Sequence, residues 1–288
     1  KFSELFTMSI IKFFSSAKII LKGESILSSE MITERSIALS LKLFIKKNIL
    51  TFTLKNIDKI IYFSKKNKEY WQYYKVPEKK LFWAPCVADA KEYIKTENLS
   101  DKQKQNLKEI FKKGKKECVN VGFVGRLINR KRIVETVCLL SKINHVNLFL
   151  AGDGDQKMFI KEKIEKNKIN NVFVLDSLNP NELSIFYKNM DLGILLSEYD
   201  PSPKVINEFL DHHIPCIISK EIGTANELII NELSGYVINN ISLDNLKCVI
   251  LKLSEKKFLK KSHQFKKHII KWSGKSWVEE FYKATNKW

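Results

Sequence analysis

Four charged residues between positions 126 and 208 are the best candidates for chemistry in this sequence. Arg126 and Lys131 follow an apolar run that ends in glycine, and Asp200 and Glu208 flank the start of an amphipathic segment. Paired cations suit the phosphates of a diphosphate, whereas carboxylates accept hydrogen bonds from the hydroxyl groups of a sugar. The combination predicts a binding site for a nucleotide-diphosphate sugar.

A regular alternation of strands and helices from residue 118 onward positions these residues. Near-continuous apolar runs predict strands at 118–124, 146–151, 171–175, 191–196, 214–218 and 235–238, with helices at 131–142, 155–166, 180–189, 203–212 and 224–231. Buried strands that alternate with helices indicate a parallel sheet covered on both faces. Such sheets bind ligands at the carboxyl ends of their strands, where the four charged residues are expected.

Three segments in this region resemble those of one enzyme family. GRLINRK (125–131) resembles the GRLxxxK segment of retaining, family-4-type glycosyltransferases of the GT-B fold. DPSPKVINE (200–208) is similar to their E-x7-E segment, and PCIISKEIGTANELI (215–229) to the segment that follows it. The match is good over 118–240 and loose over 58–89. It implies an α/β protein of GT-B type, with two Rossmann-like domains built on parallel sheets.

The resemblance implies that Arg126 and Lys131 are catalytic, because in the family this pair neutralises the diphosphate leaving group. Gly125 ends the preceding strand and belongs to the implied donor-binding residues. Lys131 is expected in the first turn of the next helix, whose amino terminus is itself positive. The alternative interpretation is a solvated basic turn, since Arg130 and Arg132 lie beside Lys131.

Two acidic residues complete the implied site. Asp200 stands where the family usually has glutamate and is the third implied catalytic residue, whereas Glu208 would hydrogen-bond the ribose. Glu198 is an alternative to Asp200, but seven residues separate Asp200 from Glu208 and nine would separate Glu198 from it. For Glu208 the alternative is an exposed helical glutamate. Further donor-binding residues lie at the opening of the helix, where backbone N–H groups would face the phosphates: Ser202, Lys204 and Val205.

The sequence predicts neither a metal nor a cofactor. The histidines have no nearby carboxylates at metal-ligand spacing, and the resembling enzymes need no bound metal. The GDG segment (152–154) lacks the third glycine of G-x-G-x-x-G, so a tight turn explains it without a nicotinamide cofactor. The five cysteines are scattered without a CxxC pair, which predicts reduced thiols in a cytoplasmic protein.

The first part of the chain is less complete. Strands are predicted at 18–23, 58–64 and 80–85, helices at 30–55 and 66–76, and a charged helical linker at 90–117. The predicted domains are a partial amino-terminal, acceptor-side domain with the linker (1–115), a nucleotide-sugar-binding domain (116–260) and terminal helices that cross back (261–288). Because the family's glycine-rich first loop and acceptor-side histidine have no counterpart, the resemblance predicts that the sequence is truncated at its amino terminus. The GES segment (23–25) is either an acceptor-facing loop or a plain turn.

The positive net charge of the chain has more than one interpretation. The formal net charge is +18, which attracts a membrane surface, a nucleic acid or phosphorylated ligands, or else reflects solvated lysines. Residues 256–271 carry seven lysines among apolar residues and form either a membrane-surface helix or the exposed face of a packed one. No uninterrupted apolar run of about 18 residues is present, which argues against a transmembrane helix.

Together these features predict a retaining glycosyltransferase that moves a sugar from a nucleotide-diphosphate donor to a hydroxyl acceptor. The acceptor would be a glycan or a lipid-linked sugar, in cell-surface glycan or glycolipid synthesis, and the enzyme would be cytoplasmic with peripheral contact to an anionic inner membrane face. A nucleotide-sugar epimerase or a phosphorylase fits less well. The alternative of another class is a non-catalytic nucleotide-sugar or nucleic-acid binding protein, although no RNA-binding signature with paired aromatics is present.

Overall fold

Two parallel sheets organise the chain in the computed structural model, which describes residues 2–27, 37–87, 100–254 and 266–286. The first sheet contains β1 (Ile20–Lys22), β2 (Lys59–Tyr62) and β3 (Leu81–Trp83), in that order. The second contains β4 (Val119–Val124), β5 (Val146–Ala151), β6 (Val172–Leu175), β7 (Leu192–Leu195), β8 (Cys216–Ser219) and β9 (Gly235–Ile238). Its strand order is β6-β5-β4-β7-β8-β9, and every pair is parallel.

Helices connect and cover these strands. Those around the first sheet are α1 (Phe2–Phe14), α2 (Ile37–Thr53) and α3 (Lys65–Tyr73), and α4 (Asp101–Lys112) precedes the second sheet. The second sheet carries α5 (Ile133–Leu140), α6 (Lys157–Lys166), α7 (Pro180–Lys188), α8 (Lys204–Asp211) and α9 (Ala225–Leu228). The chain ends with α10 (Leu243–Ser254), α11 (Lys266–Ile270) and α12 (Gly274–Thr285). Alternating strands and helices are therefore confirmed.

Side-chain caps set several of the helix starts. Ser64 precedes α3 and accepts a hydrogen bond from the backbone N–H of Asn67, and a capping box of Ser100 and Gln103 begins α4. Two predicted helix starts are two residues too early, and the helix expected from 155 begins at Lys157. The helix expected from 131 begins at Ile133, because Asn129–Lys131 forms a separate 3₁₀ turn and Arg132 is left-handed with φ 50°.

The topology of the second sheet creates a crevice. From β4 the chain builds outward through β5 and β6 on one side, then returns to place β7, β8 and β9 on the other. All residues of β5, β7 and β8 are buried, which explains their continuous apolar sequence. From β4 the chain crosses to β5 and from β7 it crosses to β8, in opposite directions, and the carboxyl edge at this point is where such folds bind ligands.

The last helices return to the first sheet. The Lys59 ammonium on β2 donates to the carbonyl oxygen of Ala284 on α12 at 2.5 Å, and the rings of Trp83 and Trp272 meet edge to face with centroids 6.1 Å apart. The limits predicted for the domains stay a prediction, and residues 88–99 and 255–265 of the predicted linker and lysine-rich segment lie outside the described residues. Within the described ranges, no helix is long and apolar enough to span a membrane.

Candidate active site

The loop after β4 presents Arg126 at the crevice. The N–H of Gly125 donates to the carbonyl oxygen of Ala151 at 3.0 Å, and the Arg126 side chain is exposed. A Cβ atom on Gly152 would lie only 1.9 Å from the carbonyl oxygen of Gly125. The first glycine of the GDG turn is thus required for the loop after β5 to support the loop that carries Arg126, a role that the sequence did not reveal.

Lys131 and Asp200 form a buried ion pair across the crevice. Their relative exposures are 8% and 9%, and the Lys131 ammonium donates to Oδ2 of Asp200. The sequence predicted that Lys131 would converge with Arg126 on an anion from the first turn of a helix. The predicted helix position is wrong, because Lys131 lies at the end of the 3₁₀ turn. Lys131 has a carboxylate as its partner and Arg126 is exposed, and the convergence of the two cations on one anion stays a prediction. Two charges this buried stabilise each other only as a pair.

Neighbouring charges join the loops after β4 and β7. The Arg130 guanidinium donates to the carbonyl oxygen of Tyr199 at 3.1 Å and lies 4.8 Å from the centre of its ring. The N–H of Glu198 donates to the carbonyl oxygen of Arg130 at 2.9 Å, and the Glu198 carboxylate is 3.9 Å from Nε of Arg132. Because Asp200 is the buried acid and Glu198 is half-exposed, this geometry supports Asp200 as the first acidic residue of the motif.

The loop after β8 fixes the backbone of Asp200. The N–H of Gly223 donates to the carbonyl oxygen of Asp200 at 2.7 Å, and Asp200 and Ile222 form an isolated parallel bridge. A Cβ atom on Gly223 would lie 2.1 Å from the carbonyl oxygen of Pro201. This close approach explains why glycine occurs at position 223 and leaves the loop little freedom to move independently of Asp200.

The amino terminus of α8 is open to a ligand. Pro203 precedes the helix and no side chain caps it. The N–H of Ile206 donates to the carbonyl oxygen of Pro203 at 3.2 Å, so the N–H groups of Lys204 and Val205 are the ones that suit an anion. Ser202, Lys204 and Val205 lie at this end, as the sequence predicted, and Lys204 is exposed. Positive partial charge at a helix start favours a phosphate there.

Glu208 lies further along α8 and is buried, with an exposed fraction of 7%. The hydroxyl group of Tyr187 on α7 donates to its Oε2 at 2.5 Å. A carboxylate has about four acceptor positions and can accept hydrogen bonds from more than one hydroxyl group. The exposed helical glutamate considered as an alternative is therefore not what the structure contains. No sequence pattern identified Tyr187 as its partner.

The described residues up to 87, which include the first sheet, are called the first unit, and residues 100–254, which include the second sheet, the second unit. The first unit contributes residues opposite α8. The Cys86 Sγ lies 3.7 Å from Oε1 of Glu24 and contacts Ser202, and burial raises the pKa of this thiol although the hydrogen bond with Ser202 acts in the other direction. The Asn207 amide donates to the carbonyl oxygen of Cys86 at 2.9 Å. The GES segment therefore approaches the start of α8. Whether this segment is an acceptor-facing loop or a plain turn stays a prediction.

Metal ligation finds no support among the described residues, where no group of three His, Cys, Asp or Glu side chains could hold an ion. Two histidines contact backbone carbonyl oxygens. Nδ1 of His212 is 2.8 Å from the carbonyl oxygen of Glu208, and Nε2 of His268 is 2.5 Å from that of Glu227. The five cysteines are free thiols, as expected.

Comparison with known proteins agrees with this geometry. The sequence model of the family described as "Glycosyl transferases group 1" matches residues 102–272, more than half of the chain. No curated protein matched the sequence. Among solved structures, HepE of Anabaena in complex with UDP and glucose is 13% identical with a TM-score of 0.75, covering 100% of this chain and 76% of that one.

Two other solved structures are similar. Sucrose-phosphate synthase from Thermosynechococcus elongatus is 15% identical with a TM-score of 0.69, over 98% of this chain and 72% of that one. WaaG, a glycosyltransferase involved in lipopolysaccharide biosynthesis, is 12% identical with a TM-score of 0.66, over 98% of this chain and 80% of that one. At such identities these structures establish the fold. The GT-B-type α/β architecture is thereby confirmed, whereas the residue roles and the retaining subtype stay predictions.

Proposed function

Because the chain belongs to the glycosyl transferases of group 1, we propose that it transfers a sugar with retention from a nucleotide-diphosphate sugar to a hydroxyl acceptor. The observation that carries this proposal is the buried Lys131–Asp200 pair at the crevice between β4 and β7, beside the open amino terminus of α8. HepE in complex with UDP and glucose supports a nucleotide-sugar donor. WaaG, which acts in lipopolysaccharide biosynthesis, supports a role in cell-surface glycan or glycolipid synthesis.

Each part of the donor has a matching group. The exposed Arg126 guanidinium, the Lys131 ammonium and the N–H groups of α8 bind the diphosphate. The ion pair uses Oδ2 of Asp200, so Oδ1 is free to accept a hydrogen bond from the donor sugar. Glu208, held by Tyr187, binds the ribose hydroxyls.

The reaction needs no protein nucleophile in this proposal. The acceptor oxygen forms a bond to the anomeric carbon while the bond from that carbon to the diphosphate breaks. The bonding electron pair leaves with the diphosphate, and the acceptor proton passes to a phosphate oxygen on the same face of the sugar. Arg126 and Lys131 stabilise the negative charge that develops on the diphosphate, which is the electrostatic contribution that usually matters most.

The test is turnover of a panel of nucleotide sugars. UDP-, ADP- and GDP-sugars would be incubated with the protein, and release of nucleoside diphosphate and of free or transferred sugar would be measured by NMR. We expect at least one donor to react with the anomeric configuration retained. Inversion would contradict the retaining mechanism. Nucleic-acid binding with a steep salt dependence and no affinity for any nucleotide sugar would favour the non-catalytic alternative.

A pocket between the two units is the proposed place for a glycan acceptor. Its volume is about 470 Å³ and its lining consists of two aliphatic and six polar or charged residues: Ile26, Leu27, Lys66, Glu69, Lys220, Glu221, Asn226 and Asn239. The two lysines and two glutamates balance in charge, which suits neutral hydroxyl groups. Ile26, which lines the pocket, lies two residues after Glu24 in the chain.

Membrane contact would follow if that glycan is lipid-linked, and an apolar patch on α1 and α2 supports it. The patch consists of exposed side chains: Phe13, Phe14, Phe44, Ile45 and Phe52, with Phe13 84% and Phe14 80% exposed. The exposed lysines Lys18, Lys55 and Lys79 each precede a strand of the first sheet and therefore share its amino edge. Aromatic side chains beside lysines match the boundary of an anionic bilayer.

Vesicle sedimentation tests this contact. We expect binding to anionic phosphatidylserine vesicles at low salt, release at high salt and no retention by neutral vesicles, because each lysine near the surface gains about 1 kcal/mol and salt screens that gain. Phe13→Ser combined with Phe14→Ser should weaken this binding. A matched control is Met158→Ser with Phe159→Ser, whose side chains are 65% and 51% exposed on α6. Equal loss in both variants would contradict the proposed patch.

A further inference from the structure

Lys66 reaches from the first unit into the loop that supports Asp200. It lies in the first turn of α3, and its ammonium donates to the carbonyl oxygen of Lys220 and, at 3.2 Å, to that of Ile222. Both acceptors belong to the loop after β8. A single cation therefore binds two backbone carbonyls of the other unit, a contact that fixes the loop more firmly than one hydrogen bond between neutral groups.

That loop is in turn attached to Asp200. Gly223 follows directly and donates its N–H to the carbonyl oxygen of Asp200 at 2.7 Å, and Ile222 forms the bridge with Asp200. Because Gly223 has no space even for a Cβ atom against Pro201, a shift of the loop displaces the Asp200 segment with it. Contacts therefore run continuously from α3 through the loop to the Lys131–Asp200 pair.

A second hydrogen bond connects the amino terminus of α3 to Glu227, which follows the same loop. Oε1 of Glu227 accepts a hydrogen bond from the backbone N–H of Lys65 at 2.7 Å, at the amino terminus of α3. A carboxylate at this end of a helix is favourable. Burial lowers the pKa of Lys66, although the carboxylates of Glu221, Glu227 and Glu69 favour its charged form. Lys66 is half-buried, so its two carbonyl partners replace part of the hydration that its ammonium loses.

We propose that Lys66 is a positioning residue, which places Asp200 for the donor sugar only when the two units are closed on each other. This inference rests on the proposed function, because it assigns to Lys66 the alignment of a group that acts on the donor. It predicts that the first unit contributes to donor activation and not only to acceptor binding. Lys66 also lines the pocket between the two units. The experiment therefore has to separate the alignment of Asp200 from direct contact of Lys66 with the acceptor.

Three variants of the full chain make that separation. Lys66→Met removes the cation, Lys66→Arg retains a donor for both carbonyls, and Lys65→Met is the matched control because the Lys65 side chain is exposed and only its backbone contacts Glu227. We expect Lys66→Met to lower donor hydrolysis without acceptor and transfer to acceptor by the same factor. That factor is about tenfold, the effect of losing one charge-assisted hydrogen bond. The donor Kd should be unchanged and Lys66→Arg should restore most activity.

Amide hydrogen exchange gives a readout that does not depend on turnover. Exchange across 219–228, which includes the N–H of Gly223, should be faster in Lys66→Met than in Lys65→Met. Equal exchange in these two variants would overturn the inference, as would a loss of transfer with acceptor-free hydrolysis intact. Absence of nucleotide-sugar binding by the unmodified protein would instead contradict the proposed function. Faster exchange in Lys66→Met would in that case still support the contact of Lys66 with the loop after β8.

Discussion

The Lys131–Asp200 pair gives the most quantitative prediction, because both charges are buried and each is the other's ionic partner. The side chains are 10% and 13% exposed. Removing one partner from such a pair leaves an uncompensated charge and costs about 3–5 kcal/mol of unfolding free energy. Lys131→Met and Asp200→Asn should therefore each destabilise the protein by about that amount, and the double variant should cost little more than one single change.

Urea denaturation followed by circular dichroism measures these differences. With a slope of about 3 kcal/mol/M, each single variant should lower the midpoint by about 1–1.7 M. Glu198→Gln is the control, since the Glu198 carboxylate faces Arg132 at 3.9 Å on the surface, and such pairs contribute about 0–1 kcal/mol. Additive effects of the two single changes, or midpoints that do not move, would refute the reasoning that the pair is buried and coupled.

Three further predictions concern other residues. Tyr187→Phe should weaken nucleoside-diphosphate binding less than Glu208→Gln does, because it removes only the hydrogen bond that orients the carboxylate; calorimetry showing the reverse order would contradict this. Burial raises the pKa of Asp58, but hydrogen bonds from an ammonium and a backbone N–H outweigh it and hold that pKa below 3.8. Asp58 therefore stabilises the fold above pH 3.8 and loses this contribution as the pH falls through its lowered pKa, so Asp58→Asn should flatten the acid limb of a stability profile. Burial strongly raises the pKa of the Cys216 thiol, so a thiol reagent should label the exposed Cys248 in the native protein and Cys216 only after unfolding.

Much of the second sheet could be read from the sequence. The strands at 146–151 and 235–238 were predicted to the residue, because an apolar run bounded by polar or glycine residues indicates a buried parallel strand. The start of α5 could not be read, since its delay depends on the left-handed conformation of Arg132. No local signal marks an arginine for that conformation, which is stabilised by the surrounding loop.

The site was predicted only in part, for a different reason. The order of the family-like segments along the chain predicted that Arg126, Lys131, Asp200 and Glu208 lie at the carboxyl edge of the sheet. The direct contact between Lys131 and Asp200 spans 69 positions and depends on β4 lying next to β7, which the strand order determines. Lys66 illustrates the same limit, because in a chain with so many lysines nothing local distinguishes it from its neighbours.

Calorimetric titration with nucleoside diphosphates tests the central claim most directly, because donor binding at the crevice underlies every assigned role. The unmodified protein should bind at least one of UDP, ADP and GDP. Arg126→Ala should weaken that binding by about 1.5–3 kcal/mol, roughly ten- to hundredfold, since it removes a charged partner of the diphosphate. Lys188→Ala, an exposed lysine at the end of α7, should leave the Kd unchanged. Equal affinities in all three proteins, or no binding of any nucleotide, would contradict the account.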